Sequence, residues 1–308
     1  MASPNDSSVN PDNPESSAST RCSSKASWSR RVVRTGAVVV ILYGSLCGLM
    51  MGLETWLVFP GAYIDSSGVN DPNRFTPESD WRADVIAFPY AAIDGTEIVG
   101  RMTVKPMPSH VVLFLHGNGI RACQMDDWTQ RLSGALNATV LTAEYRGFSD
   151  DGHTPSEETA TQDALSALDA LSAATKTPAE QIVVYGRSLG GGVAAGLVRA
   201  TMDRSAPTQT LVLDRTFNSV LAVGAEQFWF LPVRWLLRNR FDSVPKLVDF
   251  AGRVIQIHGP PDRIVPMRFG RALHDSLTTE DKQWIEVPGL RHNDRLPQST
   301  LQQVGRAL

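Results

Sequence analysis

Short apolar runs alternate with helical stretches from residue 111 onward, and this alternation is the strongest constraint on what the chain can fold into. The runs are VVLFLH, TVLTAEY, QIVVYG, TLVLD, VIQIH and QWIEV. Strands that are apolar on both faces are typical of a parallel sheet, because the crossover helices between parallel strands cover both faces. We therefore expect an α/β fold with a mostly parallel central sheet flanked by helices on both faces.

Two earlier apolar runs, ADVIAFPY and EIVGRMTV, flank the turn signal Asp94-Gly95 and predict an opening pair of strands. A helix is predicted over the alanine- and leucine-rich stretch DALSALDALSAA. Its start signals are Thr154 as the cap, Pro155 at the first helical position and Glu157 completing a capping box.

The N-terminal part of the chain has a different composition. Residues 1–34 are rich in Ser, Pro, Asn and Asp and predict a disordered tail. The uncharged run TGAVVVILYGSLCGLMMGL that follows is long enough to cross a hydrocarbon core of about 30 Å. We expect a transmembrane anchor helix over residues 35–56 and one globular domain over residues 57–308. A cleaved signal peptide and a buried helix of a soluble protein are the alternatives.

Charges on the two sides of the apolar run predict its orientation. Acidic residues follow it, whereas basic residues precede it: Arg21, Lys25, Arg30, Arg31 and Arg34. The positive-inside rule then predicts a single-pass membrane protein with a cytoplasmic N-terminus and the globular domain on the non-cytoplasmic side.

Net charge and cysteine spacing exclude some classes of function. The formal net charge is −3 with no basic stripe, so we expect no nucleic-acid partner. The three cysteines have no metal-binding spacing, so neither a zinc site nor a structural disulfide is expected.

A possible nucleophile lies between the run QIVVY and a helix, in the sequence Gly186-Arg187-Ser188-Leu189-Gly190. This G-x-S-x-G pattern exposes a serine on a sharp strand-to-helix turn, and the Leu189 amide lies at the positive end of the helix. The alternative is a glycine turn that serves only packing or phosphate binding.

A general base and an acid are needed to activate a serine hydroxyl. Asp262 follows the run VIQIH and His292 follows the run QWIEV, so both lie at the carboxyl ends of predicted strands. Asp214, at the end of TLVLD, is the alternative acid. Asp294 either orients His292 or caps the last helix, and we favour the cap.

The sequence His116-Gly117-Asn118-Gly119 follows the first long parallel strand. Its glycines permit a tight turn that leaves the Asn118 amide free to point inward. The Asn118 amide and the Leu189 amide would together form an oxyanion hole.

Six motifs in one order carry a family resemblance over roughly residues 57–308: FLHGNG, AEYRGFSDDG, YGRSLGG, FLPVRWLLRNRFDS, IHGPPDRIVP and RHND. They resemble the α/β-hydrolase superfamily, in particular its serine aminopeptidase-like branch of membrane-anchored hydrolase-domain proteins. The resemblance implies Ser188 as nucleophile, His292 as base, Asp262 as acid, and the Asn118 and Leu189 amides as oxyanion donors. It also implies cleavage of carboxylic esters or thioesters with no cofactor and no metal.

Two departures from the family pattern bear on the substrate. The chain has Asp214-Arg215-Thr216-Phe217 after one strand and Gly289-Leu290-Arg291-His292 in the histidine loop, which predicts bulk and positive charge near the site.

An insertion of about residues 217–248 is either a small cap or a crossover helix with a packed loop. A small-molecule or acyl-chain substrate is expected. A peptidase or amidase, and a non-catalytic interaction protein, are the alternatives.

Overall fold

The computed structural model describes residues 20–63, 84–149, 151–204 and 206–308, with the backbone alone for residues 20–27 and 29. The chain divides into two compact units, which are described separately. The first ends at Met50 and the second covers Met51–Leu308.

A single long helix, α1 (Thr20–Gly52), forms the described part of the first unit and runs two residues beyond it. Its stretch Arg30–Gly52 has the length and composition of a membrane span, with a mean hydropathy of 1.8. The helix begins inside the predicted disordered tail, because neither Pro nor Gly interrupts residues 20–35. The rest of that predicted tail, residues 1–19, lies outside the described residues.

The second unit is built on a sheet of eight strands in the order β1-β2-β4-β3-β5-β6-β7-β8. The two pairings β1–β2 and β2–β4 are antiparallel, and the remaining pairings are parallel. The predicted opening pair of strands and the mostly parallel sheet are both confirmed. The strands are β1 (Val85–Ala91), β2 (Glu97–Thr103), β3 (His110–Leu115), β4 (Ala138–Ala143), β5 (Val183–Arg187), β6 (Thr210–Asp214), β7 (Arg253–His258) and β8 (Lys282–Glu286).

Helices cover both faces of this sheet, as predicted. Leu168, Leu171, Val193 and Leu197 bury one face, whereas Leu132, Leu136, Leu301 and Val304 bury the other. The helices of the second unit are α2 (Glu54–Val58), α3 (Asp126–Leu136), α4 (Glu157–Thr175), α5 (Leu189–Asp203), α6 (Val220–Gln227), α7 (Val233–Leu236), α8 (Ser243–Leu247), α9 (Met267–Ser276) and α10 (Gln298–Ala307).

The start of α4 differs from the predicted one. Ser156 is the N-cap, and its hydroxyl accepts a hydrogen bond from the Thr159 N–H. Thr159 returns the contact by accepting from the Ser156 N–H. A capping box is therefore present, but the serine that follows Pro155 begins it, whereas the prediction chose Thr154.

The insertion at residues 217–248 consists of the three short helices α6, α7 and α8. Leu247, at the end of α8, is fully buried in the main core. Trp229 lies between α6 and α7 and is 81% exposed, and Trp235 lies within α7 and is 79% exposed. The insertion therefore packs on the sheet domain with one side and presents large aromatic rings to solvent on the other.

Candidate active site

Ser188 occupies the turn between β5 and α5 with a φ of 53°, a left-handed conformation that non-glycine residues rarely adopt. Glycines make this turn possible. A Cβ on Gly186 would lie 2.4 Å from the Gly190 carbonyl oxygen, and one on Gly190 would lie 2.1 Å from the Leu115 carbonyl oxygen. The G-x-S-x-G pattern is therefore a packing requirement of this turn, and it holds the serine at the carboxyl edge of the sheet.

His292 and Asp262 lie in line with this serine. Ser188 Oγ is 2.9 Å from His292 Nε2, and His292 Nδ1 is 2.8 Å from Asp262 Oδ2. An ionised carboxylate can only accept, so the proton of the neutral imidazole lies on Nδ1 and Nε2 is free to accept from the serine hydroxyl. The structure thus brings together three predicted site residues that are far apart in sequence.

The Asp262 carboxylate is surrounded by donors. Its Oδ1 accepts hydrogen bonds from the Ile264 and Val265 N–H groups, and His258 Nε2 lies 3.4 Å from its Oδ2. Burial alone would raise the pKa of Asp262, but the nearby His258 ring and the hydrogen bond from His292 outweigh it and hold that pKa below its ordinary value. Asp262 is therefore ionised at neutral pH.

The residues predicted to supply the oxyanion-hole amides, Asn118 and Leu189, lie in segments next to the serine. A Cβ on Gly117 would lie only 3.4 Å from Ser188 Cβ, so the loop that contains Asn118 lies directly against the serine. Leu189 is the first residue of α5, where the backbone N–H has no acceptor within its own helix. His116 Nδ1 donates to the Gly117 carbonyl oxygen at 2.8 Å and thereby orients the start of the loop.

Asp214, the alternative acid, has a different partner. Its carboxylate accepts two hydrogen bonds from Arg215, from Nε at 2.7 Å and from Nη2 at 2.9 Å. Both side chains are completely buried. The backbone carbonyl oxygen of Asp214 accepts from the Ser188 N–H, so this residue supports the serine turn through its main chain.

Arg215 also holds the histidine loop. Its Nη1 donates to the carbonyl oxygens of Arg291, His292 and Asp294, at 3.0, 2.8 and 2.7 Å. A second guanidinium, that of Arg187, donates to the His292 carbonyl oxygen at 3.1 Å. The backbone that carries His292 is therefore fixed by two arginines.

These contacts bear on two expectations. Arg215 places a guanidinium beside the histidine loop, as predicted, but that group is buried and paired with Asp214. Asp294 does not cap the last helix. Its carboxylate accepts from the Arg291 N–H within the histidine loop, and the N-cap of α10 is Pro297.

Two contributors were not recognised in the sequence as parts of the site. Arg215 was visible only as a departure from the family pattern, and no local signal reveals donors to carbonyl groups about eighty residues away. His258 carries no sequence signal of a role in the site, yet its ring lies 3.4 Å from the carboxylate of Asp262. In the part of the chain that the structure describes, no cluster of three His, Cys, Asp or Glu residues could hold a metal ion.

Comparison with known proteins identifies the family to which this fold belongs. A model described as the Alpha/beta hydrolase family matches residues 112–303. The chain belongs to the Alpha/beta hydrolase family. The superfamily inferred from the six motifs is thus confirmed, and the match includes the segments that carry Asn118, Ser188, Asp262 and His292.

Curated relatives match only part of this chain. The uncharacterized protein Rv2307c of Mycobacterium tuberculosis is 33% identical over 183 residues, which cover 59% of this chain and 63% of the relative. The lysophosphatidylserine lipase ABHD12 of Danio rerio is 29% identical over 179 residues, which cover 54% of this chain and 46% of that protein.

Solved structures share the fold at low sequence identity. An alpha-beta hydrolase from Vibrio vulnificus has a TM-score of 0.59 and 19% identity, covering 73% of this chain and 81% of that one. The carboxylesterase EstE1 has a TM-score of 0.57 and 17% identity, covering 73% and 88%.

Replacing Arg215 should destabilise the protein strongly. Arg215→Met leaves the Asp214 carboxylate buried without a partner, and we expect a loss of about 3–5 kcal/mol in the free energy of unfolding. The double variant Asp214→Asn/Arg215→Met removes both charges and should recover much of this loss. Thermal unfolding of the full chain in detergent measures the difference. If the single variant is no less stable than the double variant, this account of the buried pair is wrong.

Proposed function

We propose that the protein is a serine hydrolase that cleaves carboxylic esters or thioesters through an acyl-enzyme on Ser188. The observation that carries the proposal is the hydrogen-bonded line from Ser188 Oγ through His292 to Asp262, which begins at a strained turn. In this proposal His292 is the general base and Asp262 the acid that orients it.

Acylation begins when the Ser188 oxygen attacks the substrate carbonyl carbon. The hydroxyl proton passes to His292 Nε2, 2.9 Å away, and the carbonyl oxygen becomes an oxyanion. The N–H groups of Asn118 and Leu189 donate to that oxyanion. The bond to the alcohol or thiol then breaks, and His292 returns the proton to this leaving group.

Deacylation repeats these steps with water as the nucleophile. His292 takes a proton from water, the hydroxide oxygen attacks the acyl carbon, and the same two amides stabilise the second oxyanion. The bond to Ser188 Oγ breaks, the serine recovers its proton from His292, and a carboxylic acid leaves. Ionised Asp262 stabilises the imidazolium that forms in both halves of the reaction.

An acyl chain is the substrate group that we favour. The relative in Danio rerio bears the name of a lysophosphatidylserine lipase, and the short insertion of this chain leaves Trp229 and Trp235 exposed. Such rings suit an apolar or interfacial substrate. An amide substrate would use the same groups, so peptidase or amidase activity is the second candidate within the hydrolases.

Ser188→Ala should abolish both fluorophosphonate labelling and hydrolysis. Because the variant has no nucleophile, we expect kcat/KM to fall by about 10⁴-fold or more. The measurement is a panel of p-nitrophenyl esters of increasing acyl length, thioesters and aminoacyl amides. Faster turnover of esters and thioesters supports the proposal.

Two results would contradict this assignment. Preferential cleavage of the amides would make the protein a peptidase or amidase. A folded wild-type protein that neither labels nor hydrolyses any member of the panel would leave only a non-catalytic interaction role.

Asp262→Asn and Asp214→Asn separate the two candidate acids. Asp262→Asn should lower kcat by about 10⁴-fold, because an amide can donate to His292 Nδ1 and so favours the wrong tautomer. Asp214→Asn should act mainly on stability, since that carboxylate pairs with Arg215. Steady-state kinetics and thermal unfolding are compared for both variants. A larger loss of kcat in Asp214→Asn would assign the acid to Asp214.

We also propose that α1 anchors the protein in a membrane, with the N-terminus in the cytoplasm and the hydrolase domain on the opposite side. The arginines Arg30, Arg31 and Arg34 precede the apolar part of the helix, and Glu54 follows it.

In sealed inside-out vesicles, added protease should therefore remove an N-terminal epitope tag and spare a C-terminal one until detergent is added. The reverse pattern would overturn the orientation. A mature N-terminus near residue 55 would replace the anchor with a cleaved signal peptide.

A further inference from the structure

Residues 54–62, here called the connector, follow α1 and are part of the folded second unit. The connector consists of α2 and a tight turn at Pro60–Ala62. Phe59 between them is completely buried, with its ring 6.3 Å from that of Phe148 and 5.9 Å from that of Phe241, edge to face. Such aromatic pairs add to the stabilisation that burial provides. Phe59 therefore holds the connector against the hydrolase fold.

The first residue of the connector is held by the insertion. The Glu54 side chain is buried, and its carboxylate accepts hydrogen bonds from the Arg238 N–H, the Asn239 N–H and the Asn239 side-chain amide, at 2.9 to 3.2 Å. Hydrogen bonds to a buried carboxylate are stronger than those between neutral groups. The connector thus has a fixed starting point.

Its other end contacts the loop that carries Asn118. The Gly61 N–H donates to the Asn118 carbonyl oxygen at 2.7 Å, and Arg121 Nε donates to the Gly61 carbonyl oxygen at 3.3 Å. The approach is so close that a Cβ on Gly61 would lie 2.8 Å from the Asn118 oxygen and 2.9 Å from the Ile120 nitrogen. Glycine is required here because of space.

Two hydrogen bonds orient the peptide groups on either side of Asn118. His116 binds the Gly117 carbonyl oxygen, which belongs to the same peptide plane as the Asn118 N–H. The C=O and N–H of a trans peptide point in opposite directions, so that N–H points away from His116. Gly61 binds the Asn118 carbonyl oxygen in the next peptide plane. The loop is thereby confined between the connector on one side and Ser188 on the other.

We infer that the connector is a positioning element for the oxyanion hole, and that the Gly61 N–H is its point of contact with the Asn118 loop. This inference rests on the proposed function, in which the Asn118 N–H binds the oxyanion. The connector does not touch the substrate. It acts by keeping the Asn118 loop at the distance from Ser188 that the tetrahedral intermediate requires, so that its loss reduces kcat more than it raises KM.

The test compares Gly61→Ala with wild type and with Gly134→Ala in the full chain in detergent. The methyl group at position 61 has to displace the Asn118 loop, whereas a Cβ at Gly134 in α3 has no atom within 4 Å. We expect Gly61→Ala to lower kcat by about 10- to 100-fold with little change in KM, since removal of a whole oxyanion donor costs about 10²–10³-fold. Gly134→Ala should match wild type.

Two readouts separate positioning from a general loss of structure. Rates are divided by the number of sites that fluorophosphonate labels at completion, which counts only folded enzyme. A trifluoromethyl ketone that forms a reversible adduct with Ser188 Oγ mimics the oxyanion, and its inhibition constant should rise in step with the fall in kcat. A constant kcat per labelled site together with a lower melting temperature would overturn the inference.

Phe59→Leu provides a second variant if Gly61→Ala does not fold. It keeps an apolar side chain at this position but removes both ring contacts, so we expect a smaller decrease in kcat per labelled site. A kcat equal to that of wild type in a folded Phe59→Leu or Gly61→Ala protein would refute the positioning role. A wild-type chain that is never labelled would instead refute the proposed function itself.

Discussion

The close contact between the β5–α5 turn and its two neighbouring strands determines where the other parts of the site lie. Gly190 is packed against the end of β3, and a Cβ on Gly191 would lie 2.2 Å from Thr216 Oγ1, just beyond β6. The turn is therefore enclosed from both sides. The loop after β3 and the residues after β6 flank Ser188, while Asp262 and His292 follow β7 and β8, farther along the same edge.

Charge is distributed along this edge in separate pairs. Asp214 ends β6 and Asp262 follows the adjacent β7, but the first is neutralised by the forked guanidinium of Arg215 and the second binds the ring of His292. The Arg215 guanidinium binds both oxygens of Asp214, whereas His292 Nδ1 lies 2.8 Å from Asp262 Oδ2. The pairing of Asp214 thus supports the shape of the histidine loop through Arg215, and Asp262 is the carboxylate that contacts His292.

Local sequence signals were sufficient to predict the strands and to show which residues lie at or just beyond their ends. Alternation of apolar runs predicted the sheet, and the glycines around Ser188 predicted the turn, because each signal depends on neighbours within a few residues. The contacts of Arg215 with the loop at Asp294, and of Gly61 with Asn118, join segments that are far apart in sequence. These contacts have no local signature. In the sequence, Arg215 and Gly61 look the same as any other buried arginine and any other glycine in a turn.

The start of α1 was missed for a related reason. A Ser-rich, Arg-rich stretch without Pro or Gly can continue a helix that the following apolar residues nucleate, although its composition alone indicates disorder. Composition indicates how a segment behaves in isolation. It does not include the effect of an adjacent helix that extends into the segment.

The connector bears on where the functional domain begins. The family match starts at residue 112, so the connector and the antiparallel pair β1–β2 lie outside it. The matched region supplies Ser188, Asp262 and His292, but it contains neither the N–H that binds the Asn118 carbonyl oxygen nor the ring that packs between Phe148 and Phe241. Because Glu54 is held by Asn239, the connector folds with the domain. The contacts of the second unit therefore include Glu54, which lies ahead of the expected boundary at residue 57.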